Sequence, residues 1–342
     1  MVPIYPMSVL VLSSLEMSRR QVRVLGFHAL YACRDSGVCC SSGWPIPIEA
    51  DRIERAQSAM AARLLRPVRG GDRAPFVFAA DAPSDTPAVV ATCDDVCVFH
   101  DPAGRCAIHA ALGHDALPLA CRQFPRVSVA DPRGVSVTLS HYCPTAAAML
   151  ERSDGAADAI HINAPGFPAD GEYVGLDATS VMPPLLREGV LMDWESWWEF
   201  ERLSVHALLT AGDSAGSALA IVRGAEKTLA AWSPGDGALT DAVRRAFDST
   251  VIAGSIPAQQ LVAEAFESVP APYQGRARWT STVATSDRGG RRFLAAHAFA
   301  NWAVHSETGL RAWIRSVESA HAFITLGAGV RHADLVLRHL AG

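Results

Sequence analysis

The chain has 342 residues, 49% hydrophobic and 19% charged, with a formal net charge of −5. That length and apolar content suffice for a buried core without disulfide staples, and the acidic balance argues against a dedicated nucleic-acid binder. Lys227 is the single lysine, which excludes Schiff-base chemistry at every other position.

No uninterrupted apolar run reaches the roughly 18 to 20 residues of a membrane span. No basic segment precedes the mildly apolar start, so no secretory signal is read there. A cytoplasmic protein with reduced thiols, and with neither nucleic acid nor membrane as partner, is the expectation.

In chain order, residues 1–26 carry no recognisable chemistry and read as an N-terminal extension. Residues 27–150 hold all eight cysteines and read as a cysteine-cluster metal-binding region. There, Ile53, Ala56, Met60 and Leu64 predict a helix over 51–65. The β-prone runs 127–129 and 135–139 flank Asp131-Pro-Arg-Gly134 and predict a hairpin. It lies between Cys121 and Cys143 and can bring the last cysteine back to the others.

Residues 151–342 read as mainly helical, with the clearest pattern from about 185 onward. Trp194, Trp198, Val205 and Leu208 form one stripe. Leu310, Trp313, Ile314, Val317 and Ile324 form another, preceded by Phe293, Ala296, Ala300 and Val304. Both stripes are expected in the core, and 269–290 reads as a loop. The fold expectation is mainly α with irregular and β elements: a cysteine-rich, metal-organised N-terminal half packed on a helical C-terminal half.

The cysteines carry the chemistry. Seven fall between Cys33 and Cys121, and Cys143 is the eighth. Disulfide frameworks belong mainly to short secreted domains, whereas reduced thiols bind zinc or iron. Gly37 before Cys39-Cys40 and Gly104 before Cys106 supply the backbone freedom of metal knuckles, and Cys93-x3-Cys97 has ligand-like spacing. Long intervals between the groups imply a site assembled by tertiary folding. Either zinc or a four-cysteine iron–sulfur cluster of the 4Fe–4S kind would suit, with His100 and His109 as further donors. Adjacent side chains diverge, so only one of Cys39 and Cys40 is expected to bind a given centre.

Cys33-x5-Cys39-Cys40, Cys97-x8-Cys106-Ala-Ile-His109 and Cys121-Arg-x-Phe-Pro125 together resemble the YkgJ-type cysteine-cluster family of zinc- or iron-chelating domains. Ser36 stands where that family's opening motif has its second cysteine. The segments Cys39-Cys-Ser-Ser-Gly-Trp44, Gly104-Arg-Cys106-Ala-Ile-His109, Cys121-Arg-Gln-Phe-Pro-Arg126 and Leu139-Ser-His-Tyr-Cys143-Pro further resemble the flagellin lysine-N-methylase branch. The resemblance implies metal ligands among Cys33, Cys39, Cys40, Cys97, Cys106, Cys121 and Cys143. It also implies S-adenosylmethionine as methyl donor and a protein substrate such as flagellin. Arg122 and Arg126 are the expected cofactor-binding cations. The alternative is a non-enzymatic metal carrier or structural zinc protein.

No Gly-x-Gly-x-x-Gly after a strand, Walker loop, His-Glu-x-x-His or Gly-x-Ser-x-Gly occurs. No catalytic residue is assigned from the sequence. Trp44 is expected as a lid over the thiols, and His297, His305 and His321 as core or surface residues.

Overall fold

The structure is a computed structural model, and it describes residues 21–78, 88–152, 159–248, 255–277 and 284–340. It divides into two compact units. One comprises the chain up to Tyr31, then Arg126–Tyr142, then Ala146 onward. The other comprises Ala32–Pro125 and Cys143–Thr145, and it contains every cysteine.

The first unit is built on a five-stranded sheet. Its strand order is Leu176–Asp177, Arg126–Asp131, Gly134–Leu139, Val22–Leu25 and Ile160–Ile162. The hairpin read from the sequence is its centre, with Asp131 opposite Gly134 across a two-residue loop. Gly134 is required: its φ is +120°, and a Cβ there would stand 2.3 Å from the Gln21 carbonyl oxygen. That close approach lets Val22–Leu25 pair in parallel with Gly134–Leu139.

The strand Val22–Leu25 falls inside the segment read as an extension. Every residue in it is buried, which is why it shows no alternation of apolar and polar positions. Its single charge, Arg23, places one guanidinium nitrogen against the Ser136 hydroxyl at 2.5 Å and Asp131 at 3.6 Å.

The helices follow as expected from Trp194 onward: 194–210, 215–229, 239–247, 258–268, 287–298, 310–325 and 330–335. Helix Asp287–Ala298 is the pivot, packing against Trp194–Thr210, Ala215–Leu229, Leu310–Thr325 and the Gly134–Leu139 strand. From Gly289 to Ala298 every residue is buried. Two arginines can lie there because they cap other helices. The Arg291 guanidinium donates to the Ala211 and Gly212 carbonyls, each at 2.6 Å, beyond the end of Trp194–Thr210. Arg292 donates to the Arg152 carbonyl at 2.6 Å, just past Pro144–Met149. Orphan carbonyls at helix ends are good acceptors for such cations.

Most of the second stripe is core as expected, with Leu310, Trp313, Ile314 and Val317 buried and Ile324 half-buried. In the first, Val205 and Leu208 are buried as expected, and Trp197 and Phe200 join them in the core. Trp194 and Trp198 are only half-buried and stack on one another at 6.1 Å. The 269–290 loop contains helical turns at Ala271–Tyr273 and Gln274–Ala277, and Asp287 already begins a helix. Part of that expectation, 278–283, lies outside the described residues.

The second unit has a three-stranded antiparallel sheet, with Ala88–Val90 between Ile46–Ile48 and Phe76–Val77. The expected helix runs Ala50–Ala61 and buries Ile53, Ala56 and Ala59. Leu64, expected on its apolar face, is 70% exposed because the helix ends before it. Ile46, Ile48, Ile53, Leu65, Phe76, Val90, Phe99 and Leu117 belong to one apolar cluster, against which Cys40, Trp44, Cys106 and Cys121 pack. This unit therefore has a hydrophobic core of its own, and the chain as a whole is mixed α and β. The mainly helical expectation holds only for its later part. Among the described residues no helix is long and apolar enough to cross a membrane.

Candidate functional site: a cluster of thiols

All eight cysteines are free thiols. Five of them, from four separate chain segments, lie close enough to feel one another's charge: Cys39, Cys40, Cys97, Cys106 and Cys121. Each is delivered by a distinct piece of local structure.

Cys39 and Cys40 sit on the tight turn Val38–Ser41, which Gly37 opens with φ +68°. The Cys40 amide closes the turn onto the Gly37 carbonyl at 3.0 Å. The two thiols of this pair act on one another: Cys39 is drawn down to about 7 and Cys40 is driven upward.

Cys97 ends a two-stranded ribbon in which Thr92 faces Cys97 and Cys93 faces Val96. The turn residues Asp94 and Asp95 have φ of 51° and 63°, the mirror-image geometry that suits hairpins. This register places Cys93 and Cys97 on opposite faces, so their ligand-like spacing does not make a knuckle. Cys97 turns into the core, whereas the Cys93 thiol meets Asp94 at 3.8 Å.

Cys106 pairs with His100 across an isolated bridge and stands at the start of helix Ala107–Leu112. The nearby backbone N–H groups of His109 and Ile108 pull its thiol toward thiolate, against burial. Those of Phe99 and His100 act likewise on Cys97. Cys121 lies on the short helix Leu119–Gln123, whose first amide donates to the Glu49 carboxylate at 3.1 and 3.3 Å.

Burial pushes Cys97 up to about 11, and raises Cys106 and, further, Cys121. For Cys121 the charges of Cys97, Cys39 and Cys106 add to the effect of burial. Backbone N–H groups favour thiolate, while burial and mutual repulsion oppose it. A cation among the sulfurs would resolve this conflict. The donor set therefore suits a thiolate-binding metal, although among the described residues no three His, Cys, Asp or Glu side chains converge at ion-holding geometry.

The remaining candidates lie further out. Cys33 is exposed and pairs with Asp35, although its thiol is influenced by Cys143 and Cys39. Cys143 is buried, and it belongs to this unit although the hairpin before it belongs to the other. Trp44 packs against the apolar cluster and lies 5.6 Å from the Phe124 ring. His109 is exposed, its ring beside that of His114 at 6.0 Å. The other histidine read as a donor, His100, is better placed. Both its ring nitrogens are buried without a hydrogen-bond partner among the described residues. Such orphaned groups are rare and usually mark an absent partner. Arg122 shares the Cys121 helix, whereas Arg126 begins the first unit's sheet and lines a cavity there.

Gly37 holds the arrangement together. A Cβ there would lie 2.5 Å from both the Gly104 carbonyl oxygen and His100 Nε2. Gly37→Ala should therefore destabilise this unit by at least about 1 kcal/mol from backbone strain alone, and separate Cys39–Cys40 from Cys106. Proteolytic cleavage within 32–125 measured against urea checks this, and an unchanged profile would count against it.

Sequence reading did not find a second polar cluster, in the first unit. His28, His141, His297 and Asp334 are all buried there. His28 and His141 meet at 3.1 Å through their Nε2 atoms, and His297 Nε2 lies 3.0 Å from Asp334 Oδ1. The Ser140 hydroxyl bridges Asp334 at 2.6 Å and His339 at 2.7 Å. Sequence separations here exceed a hundred residues for most pairs, so no local motif could reveal them.

Searches against protein-family models, characterised proteins and solved structures find no match for this chain.

Proposed function

We propose that the cysteine-bearing unit holds a metal centre, an iron–sulfur cluster or zinc, and that the chain is a cysteine-cluster metalloprotein of the YkgJ type. The observation that carries this reading is the gathering of Cys40, Cys97, Cys106 and Cys121 at one apolar cluster, with Cys39 beside Cys40. Backbone N–H groups near Cys39, Cys97 and Cys106 favour the thiolate state that metals require. The orphaned nitrogens of His100 point the same way.

Cys40, Cys97, Cys106 and Cys121 would hold the centre. Glu49 fixes the helix that carries Cys121, and Gly37 and Gly104 let their two loops approach. The finer reading is a protein-lysine methylase using S-adenosylmethionine, with flagellin as the kind of substrate. An iron–sulfur centre with an open position would supply a Lewis-acidic site for the donor's amino and carboxylate groups. Arg122, beside Cys121, would add positive charge for that carboxylate.

Anaerobic reconstitution with iron and sulfide, or with zinc, followed by metal analysis per chain, tests the reading. Metal content should fall most in the Ala variants of Cys40, Cys97, Cys106 and Cys121, less in those of Cys33, Cys39 and Cys143, and least in Cys93→Ala. Full metal retention by both Cys106→Ala and Cys121→Ala would overturn the assignment. Calorimetric binding of S-adenosylmethionine to the loaded protein, weakened in Arg122→Ala, would support the methylase. No binding at millimolar ligand would favour a carrier or structural role.

A further inference from the structure

The first unit contains a cavity of about 870 Å³, among the larger sizes typical of small-molecule sites. Its charged lining is Arg126, Arg311, Arg315 and Arg338, and no Asp or Glu lines it. That is unexpected in a chain with 35 acidic and 30 Lys and Arg residues, where a random surface would be balanced or acidic.

Two of these cations are anchored from behind. Arg338 reaches the Asp334 carboxylate at 3.1 Å and donates to the Ala296 carbonyl at 2.8 Å, and Arg315 pairs with Glu264. Arg311 has no ion-pair partner among the described residues, although Glu226 feels its charge at longer range. A wall built only for stability would bring carboxylates in among its guanidiniums.

The rest of the lining is apolar or neutral. Val127, Val174 and Leu337 supply aliphatic surface, and Trp302 supplies an aromatic face. Trp302 is 48% exposed, unusual for so large an apolar side chain. Its indole N–H donates to the Ser128 carbonyl at 3.0 Å, which fixes the ring. His297 and His339 also line the cavity, held by Asp334 and Ser140. The Arg338 and His339 pair sits on a π-turn, Val336–Leu340, a backbone form frequent at functional sites.

We propose that this cavity is a binding site for a flat organic anion: an aromatic ring system bearing a carboxylate, sulfonate or phosphate. The guanidiniums take the charged group, with Arg311 in no ion pair among the described residues, and the Trp302 ring and the aliphatic side chains take the flat body. The site lies wholly within the first unit and is independent of any metal.

The test uses the full-length protein and 8-anilino-1-naphthalenesulfonate, whose fluorescence rises on entering an apolar site. Two variants leave the core intact. Arg311→Glu sits in the first turn of helix Leu310–Thr325, where an acidic residue is well tolerated. Ala312→Trp fills the cavity from its half-buried wall. Arg311→Glu should weaken probe binding at least tenfold and Ala312→Trp should abolish it, both with unchanged far-UV circular dichroism. The neutral parent, N-phenyl-1-naphthylamine, should bind at least tenfold more weakly than the sulfonate. Equal probe affinity in wild type and both variants would overturn the proposal, as would equal affinity for the neutral parent.

Discussion

Stripping the metal from the reconstituted protein should loosen residues 32–125 and leave the helical unit folded. Metal binding by thiolate sites contributes on the order of 10 to 16 kcal/mol of apparent free energy. A whole domain is stable by only about 5 to 15 kcal/mol. The apolar cluster around Phe76, Phe99 and Ile48 should hold part of the unit, so the expected state is loosened and not fully unfolded. The segments that present Cys39, Cys97, Cys106 and Cys121 should open first, since their buried sulfurs would then stand together without a cation. Limited proteolysis with mass mapping, before and after chelation, reads this directly. New cleavage confined to 32–125, with helical circular dichroism retained, is the expected outcome. Unchanged protease resistance after complete metal removal would rule it out.

Acidification from about pH 6.5 to 4 should destabilise the other unit by at least about 3 kcal/mol. Burial holds His297, His305 and His339 down to about 4. In the unfolded chain each would titrate near 6.5. Between those values the unfolded chain binds protons that the native chain does not. Stability is therefore complete above about pH 6.5 and declines as pH falls toward 4. One fully buried imidazole shifted by this amount accounts for about 3 kcal/mol. The sum over three is smaller than three times that, because His297 and His339 share the Asp334 network. Urea midpoints of the helical signal at pH 7.5, 6 and 5 would show the decline, and His297→Asn should flatten it. A midpoint independent of pH over this range would refute the linkage.

How much was legible varied with the range of the interaction that decides each feature. The hairpin 126–139 and the stripe through Leu310, Trp313 and Val317 were legible because local periodicity and a Pro-Arg-Gly turn determine them. The Trp194 helix was legible as a helix and in the facing of Val205 and Leu208, but not at its start, where Trp197 rather than Trp198 enters the core against neighbouring helices. The strand Val22–Leu25 was hidden because it is buried on both faces and pairs with partners more than a hundred residues away. The thiols were legible as a group, while their geometry was not. Spacing alone could not show that Cys93 and Cys97 face apart. The histidine network around Asp334 left no sequence signal, for its members come from distant segments.

The nesting of one unit within the other has a consequence for synthesis. The ribosome delivers Val22–Leu25 first, then all of 32–125, and only afterwards the hairpin that is this strand's parallel neighbour. At roughly 5 to 20 residues per second, that neighbour is several seconds behind. During that interval a fully buried strand stands without its sheet, while the segment carrying seven cysteines emerges in full. The apolar cluster and thiols of 32–125 can thus gather on the nascent chain before the sheet closes. Cys143, emerging after the hairpin, is the last to join them.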